Sequence, residues 1–364
     1  MLIICPIAGV GSFLQPFTVS KPKAMIKIAG KRIIDHTLQL LKDNFPPETK
    51  ICFIVGYKKR IIIEYISEHY GEYFNLIFEE QNPIAYDGDI PLFAGIGDAI
   101  RLAGKYGRGD DCFIFFSDHF PTEDFLPMIK MLENTEFDGV VNVREVENPQ
   151  QYGVCEVDSN NTITRVVEKP TKPKSNLAIT WGYVFSKRIT PQIFDYLDKL
   201  VHDNFNLQKN IDFTGTIQCL INSGAKIGVN VMKSPILDFG QINDFLRGNN
   251  FLLNQQLKTR TDKGENINET MLRSNELQNT SIIPPVFLGK NCTLTNSVIG
   301  PNVSIGDNTV ITKCIISNSV IGDCTSMENI ITESSVIGDF VSMEDLIKNS
   351  ISIGDSSSIM KTLD

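Results

Sequence analysis

The sequence predicts an α/β fold, a Rossmann-like and mostly parallel sheet, followed by a parallel β-helix. Two observations carry this expectation. In the first half, short apolar runs alternate with stretches of helical periodicity, and near the C-terminus Ile-Gly-Asp recurs at 305, 321, 337 and 353. Strands separated by helices build parallel sheets with helices on both faces. A fixed repeat with apolar clusters and no helical period builds a stacked solenoid.

The elements follow in order. Leu2–Cys5 is a short strand ending in a Gly-rich turn, and Ile33–Leu41 is a helix stopped by Asn44-Phe-Pro-Pro. Lys50–Val55 reads as a buried strand, Arg60–His69 as a helix, Cys112–Phe116 as a second buried strand and Phe125–Leu132 as a helix. Ligands of such sheets sit at the carboxyl ends of strands. From Gly153 to Phe185 the pieces GVCEVD, TITRVVEKP and ITWGYVF form a β-rich insertion, placed at about 150–186 within a domain of residues 1–250. Helical segments near 190–200 and 241–258 precede the polar stretch Thr259–Thr280, so residues 251–281 are expected as a linker. Residues 282–364 are the β-helix, with Gly of each repeat expected at a tight corner.

Composition bounds the function. An apolar fraction of 42% and a charged fraction of 21% describe a globular chain, and a net charge of −9 argues against a nucleic-acid surface. The start, MLIICPIAGVG, lacks a basic region and its apolar run is too short to span a membrane, which makes a cytoplasmic protein the expectation. Eight scattered cysteines without C-x-x-C read as reduced thiols, and four separated histidines give no zinc spacing. No histidine follows His202, so the β-helix lacks the usual base for a second activity and is expected instead to support a homo-oligomer.

The loop after the first strand, Ala8-Gly9-Val10-Gly11-Ser12, lets backbone N–H groups approach phosphate oxygens. It is neither a dinucleotide fingerprint, since Leu14 stands where Gly or Ala is needed, nor a P-loop. Read onward, the run from Gly9 to Lys23, GVGSFLQPFTVSKPK, resembles the signature of sugar-1-phosphate nucleotidylyltransferases, G-x-G-T-R-L-x-P-x-T-x-x-x-P-K. Gly9, Gly11, Leu14, Pro16, Thr18, Pro22 and Lys23 match, and Ser12 replaces Thr. Further similar segments follow in family order: AGKRIIDHTL from Ala29, Gln81, GIGDAI from Gly95 beyond an extra loop at Tyr86–Phe93, Ser117-Asp118, Tyr152–Asp158, Glu168-Lys169-Pro170 and Leu237–Gly240.

The resemblance implies a left-handed β-helix and a reaction between a nucleoside triphosphate and a sugar-1-phosphate. It implies Mg²⁺ held by Asp118 and Asp238, with Lys23 neutralising phosphate. Ala8, Gly9, Gly11, Ser12, Gln81 and Gly95 would bind the nucleotide, and Gly153, Glu168, Lys169 and Gly182 the sugar phosphate. One departure matters: Phe13 stands where the family has the Arg that grips the triphosphate, and Ile96 and Gln241 also break motif positions. Lys21 and Arg32 are the nearby cations that could replace it. The alternative reading is a binding or scaffold homologue with impaired transfer.

Overall fold

The computed structural model describes residues 1–204, 211–263 and 274–360. Parts of the expected linker and the last four positions lie outside these residues. The chain divides into two compact units that do not follow the expected boundary at 250. One joins Met1–Val10 to Thr37–Ile236, and the other joins Gly11–His36 to the residues from Leu237 onward.

The first unit is built on a nine-stranded sheet. Its elements in chain order are β1 (Leu2–Pro6), β2 (Lys50–Val55), α1 (Lys59–Tyr70), β3 (Asn75–Glu80), α2 (Ile96–Leu102), β4 (Cys112–Phe115), α3 (Leu126–Asn134) and β5 (Gly139–Glu145). Then come β6 (Gly153–Val157), β7 (Ile163–Glu168), β8 (Leu177–Phe185), α4 (Thr190–Asn204), α5 (Thr214–Asn222) and β9 (Ile227–Val231). The sheet order is β7-β6-β8-β4-β1-β2-β3, with β5 joined to β8 and β9. β1 pairs in parallel with both β2 and β4, with Leu2 opposite Lys50 on one side and Cys112 on the other. β8 runs antiparallel to β4, placing Gly182 beside Phe115.

These strands are apolar along their whole length because both faces are covered. Leu2 to Cys5, Ile51 to Ile54 and Phe113 are fully buried. Behind β4, Phe113, Phe125 and Trp181 pack with ring centroids 4.9–5.6 Å apart, and each such burial contributes about 1.5–3 kcal/mol. The chain leaves β1 toward β2 on one side, while β4 lies on the other. This is a topological switch point, and in such sheets ligands bind outside the carboxyl ends of the strands, here β1 and β4. The extra segment expected as a loop at Tyr86–Phe93 forms a hairpin instead, Ala85–Asp87 with Ile90–Leu92, turning at Gly88 with φ of 60°.

The second unit holds the β-helix. Its strands pair in parallel with the next coil on three faces: Thr293 with Val310, Val298 with Ile315, Val303 with its predecessor Val286. The register is 17 residues in the first coils, as between Glu276 and Thr293, and 16 from Val310 onward, as between Val310 and Ser326. The coils therefore begin at Glu276, before the expected start at 282. The helix α6 (Ile242–Asp262) extends through residues assigned to the linker. The polar QQLKTRTD end is the solvent-facing last stretch of this helix, which has the composition of a linker.

The repeat glycines have a different reason from the one expected. One file of left-handed corners is occupied by Asn291, Asn308, Cys324, Phe340 and Ser356, with φ of 55–59°. Asn is the side chain most tolerant of that region. Gly306, Gly322 and Gly338 are instead pressed against the next coil, where an added Cβ would lie within 3 Å of the following Asp or Gly.

Candidate active site

The loop after β1 is held at its base by backbone hydrogen bonds, Ile7 N–H to Ile54 O at 2.8 Å and Tyr57 N–H to Ala8 O at 2.9 Å. Ala8 is buried, whereas Gly9 is exposed and a Cβ there would meet nothing within 4 Å. Bare backbone thus faces open space at the carboxyl end of β1. Asp118 stands just beyond β4, its side chain 39% exposed, with His119 Nδ1 at 3.7 Å. Its charge is felt at the neighbouring strand: the Cys5 thiol is pushed well up by burial and then by Asp118. The switch point therefore puts Ala8, Gly9 and Asp118 beyond the carboxyl ends of two adjacent strands, β1 and β4.

On β3's carboxyl side, Gln81 is almost wholly buried. Its amide nitrogen donates to Gly95 O at 3.0 Å and to Asp98 Oδ2 at 2.9 Å. Two acceptors fix the amide orientation and use both its hydrogens, leaving Oε1 as the atom that can accept from a ring N–H. Gly95 has φ of 98°, a conformation that favours glycine. Arg101 pairs with Asp98 at 2.9 Å and completes this support.

Of the residues expected to meet the sugar phosphate, Gly153, Glu168 and Lys169 lie on or directly after the β6–β7 hairpin. Gly153 lies opposite Glu168. A Cβ on Gly153 would lie 3.0 Å from Thr214 Oγ1 and 3.1 Å from Glu168 Oε2. Glycine is required there so that Thr214 can donate to Glu168 Oε2 at 2.7 Å. Lys169 takes φ of 42°, its N–H bonded to Tyr152 O at 3.0 Å, and its amine lies 4.0 Å from Glu168 Oε1. Gly182 sits on β8, where a Cβ would come within 3.1 Å of Ile114 O.

In the second unit, Gly11 turns the signature loop with φ of 71°, and a Cβ would meet Lys23 Cβ at 3.0 Å and Thr18 Cγ2 at 3.1 Å. Thr18 Oγ1 donates to Gly11 O at 3.0 Å, and Ser12 opens the short turn Ser12–Leu14. Signature residues Gly11, Thr18 and Lys23 are therefore one packed turn. Phe13 is 82% exposed on it. Lys21, considered as a substitute cation, is held instead by Asp339 and Asp355. Asp238 ends the strand Ile236–Asp238 with its carboxylate exposed, Oδ1 accepting the Gly240 N–H at 2.6 Å.

Among the described residues no group of three or more His, Cys, Asp or Glu side chains could hold a metal ion. Asp118 and Asp238 are each exposed carboxylates, hard oxygen donors of the kind that Mg²⁺ takes one or two at a time beside water and phosphate oxygens. Supporting residues were not legible in the sequence. Besides Asp98 and Thr214, Glu123 accepts the backbone N–H groups of Lys233 at 2.8 Å and Ser234 at 3.0 Å, tethering the segment that leads to Asp238. An acidic residue eight positions after a buried strand carries no signal of its own.

Residues 6–255 match the nucleotidyl transferase family model, and the chain belongs to that family. Among known proteins it is 29% identical over 256 residues to the low-salt glycan biosynthesis nucleotidyltransferase Agl11 of Haloferax volcanii, covering 69% of this chain and 66% of that protein. It is 32% identical over 276 residues to the bifunctional protein GlmU of Methanocaldococcus jannaschii, covering 76% and 59%. The chain thus spans under two thirds of the length of these relatives. A crystal structure of a candidate glucose-1-phosphate thymidylyltransferase from Bacillus anthracis shares the fold, with a TM-score of 0.56 and 21% identity over 69% of this chain and 95% of that one. Among the described residues no helix is long and apolar enough to cross a membrane.

Proposed function

We propose that the chain transfers a nucleotidyl group to a sugar-1-phosphate, releasing pyrophosphate. The observation that carries this reading is the β1–β4 switch point, with the bare backbone of Gly9 beyond one strand and the exposed carboxylate of Asp118 beyond its neighbour. A phosphate oxygen of the sugar forms a bond to the α-phosphorus in line, the α–β bridging P–O bond breaks, and pyrophosphate leaves with that electron pair. Both reactants are anions, so the protein's task is positioning and charge neutralisation. Ala8, Gly9, Gly11 and Ser12 present backbone and hydroxyl donors to the triphosphate, with Lys23 as the cation. Gln81 accepts from the base through Oε1, beside Gly95. Glu168, fixed by Thr214, accepts from sugar hydroxyls, Lys169 meets the sugar phosphate, and Gly153 and Gly182 keep the backbone close. Mg²⁺ held by Asp118 and Asp238 would neutralise the phosphate charge. The name of Agl11 suggests glycan biosynthesis as the setting.

The test is pyrophosphate release from a panel of triphosphates and sugar-1-phosphates with Mg²⁺; no turnover with any pair rejects the reading. Phe13 at the arginine position, together with the committed Lys21, favours a second reading, a nucleotide-sugar-binding homologue with impaired transfer. Calorimetry with triphosphates and nucleotide-sugars decides it, since binding without turnover selects the second. We further propose that the chain works in the cytoplasm as a homo-oligomer through its β-helix, and a monomer by light scattering at micromolar concentration contradicts this.

A further inference from the structure

The aspartates of the Ile-Gly-Asp repeats form a column with two sets of contacts. Oδ1 of each accepts a backbone N–H from the preceding coil: Lys290 to Asp307 at 2.9 Å, Asp307 to Asp323 at 2.9 Å, Asp323 to Asp339 at 2.8 Å, Asp339 to Asp355 at 2.8 Å. Oδ2 faces the Gly11–His36 segment of the same compact unit. Lys27 Nζ lies 3.1 Å from Asp307 Oδ2 and 2.7 Å from Asp323 Oδ2. Lys21 pairs with Asp339 and lies 2.9 Å from Asp355, to which Ser20 also donates at 2.5 Å. The Lys21 side chain is 18% exposed and that of Asp355 9%, so solvent screens this pair far less than an ordinary surface ion pair. Burial alone would lower the Lys27 pKa, yet the two carboxylates raise it; Asp307 is held below the usual carboxylate range against its own burial by the Lys290 N–H and by Lys27.

Stacked like charges one coil apart repel, so cations beside the column stabilise it. The lysines that supply them lie within and just after the turn that carries Gly11, Thr18 and Lys23. Pro22, with φ of −62°, separates Lys21 from Lys23 and leaves little freedom between them. Anchoring the Lys21 amine therefore limits where the Lys23 backbone, and Gly11 packed on it, can go.

We propose that the aspartate column is an electrostatic latch that sets the conformation of the Gly11–Lys23 turn, making Lys21 and Lys27 positioning residues and not phosphate ligands. The consequence for phosphate binding rests on the nucleotidyl-transfer reading; the latch itself does not. A β-helix read from its repeat as a self-association module thereby becomes part of the substrate site's framework.

The experiment compares the full chain with the Asp339→Asn/Asp355→Asn double variant, which keeps both Oδ1 acceptors, and with Lys21→Met and Lys21→Arg. Hydrogen exchange by mass spectrometry reads the amides of 11–23, and steady-state kinetics read KM for the triphosphate against kcat. The expected result is about tenfold faster exchange in 11–23 for the double variant and Lys21→Met, with the rest of the chain unchanged and Lys21→Arg close to the parent. KM for the triphosphate rises about tenfold while kcat changes less. Unchanged exchange in 11–23 overturns the latch, and faster exchange with an unaltered KM overturns its positioning role. If the parent chain transfers no nucleotide, the function reading falls and the exchange measurement still decides the latch.

Discussion

Replacing Gly9 by Ala separates a structural from a chemical requirement. A Cβ at Gly9 meets no heavy atom within 4 Å, and its φ lies outside the left-handed region. The substitution is therefore expected to stabilise by about 0.4–1 kcal/mol through the unfolded chain, a Tm increase of about 1–4 °C for a protein of this class. If phosphate oxygens approach that bare backbone, the same methyl group pushes them away. A displacement of about 1 Å can cost on the order of 10²-fold in rate, or about 2.7 kcal/mol of barrier. Gly11→Ala is the contrast. There φ of 71° and contacts with Lys23 and Thr18 mean the chain itself must give. Left-handed backbone costs a non-glycine residue about 1–2 kcal/mol, lowering Tm by about 2–8 °C. Differential scanning calorimetry and kcat/KM from pyrophosphate release, measured on both variants, give the answer. A Gly9→Ala protein with raised Tm and full kcat/KM would refute the phosphate cradle at this loop.

The remaining expectations can be checked with the same assays. Phe13→Arg restores the cation at a site that is 82% exposed; stability should stay within about 0.5 kcal/mol while kcat rises at least about tenfold, because such a cation can be worth about 10³–10⁵ in phosphoryl transfer. Thr214→Val removes the donor to Glu168 Oε2; a hydrogen bond to a charged group contributes about 1.5–3 kcal/mol, and KM for the sugar phosphate should rise with KM for the triphosphate unchanged. Glu123 is held below its ordinary pKa of 4.5, against its burial, by the N–H groups of Lys233 and Ser234. A depressed carboxylate stabilises the fold above pH 4.5 and ceases to as pH falls through its lowered value, so Glu123→Gln should flatten the fall of Tm below about pH 4.5; identical acid profiles would count against this role. Gly322→Ala places a Cβ within 3 Å of Gly338 and Asp339; overpacking of this kind costs about 1–3 kcal/mol, visible as a lower urea midpoint.

Much of the sheet was legible because its strands are buried on both faces and read as unbroken apolar runs, such as CFIFF at 112–116. The β-helix was legible where its period is constant. Its start at Glu276 was not, since a 17-residue register with Asn at the corners departs from the later 16-residue Ile-Gly-Asp repeat. The hairpin at 85–92 has one local signal, the turn dipeptide Asp87-Gly88 between two short strands. Site residues such as Gln81 and Glu168 could be named from the resemblance, but the side chains that orient them could not. Asp98 and Thr214 lie 17 and 46 positions away, and only tertiary folding brings them into hydrogen-bond range. The grouping of Gly11–His36 with the C-terminal unit was equally hidden, because complementary charge between Lys21 and Asp355 leaves no local pattern.

The register of the later coils has a consequence for how this protein can change in length. Ile305, Ile321, Ile337 and Ile353 stack as one interior file, each buried. Removing one complete turn of the winding splices identical walls together and shortens the spindle by about 4.8 Å. Removing a few residues instead rotates every later isoleucine off its file and turns apolar side chains toward water. Growth and loss in this region are thus close to quantised, in whole windings apart from the single residue by which the early coils exceed the later ones.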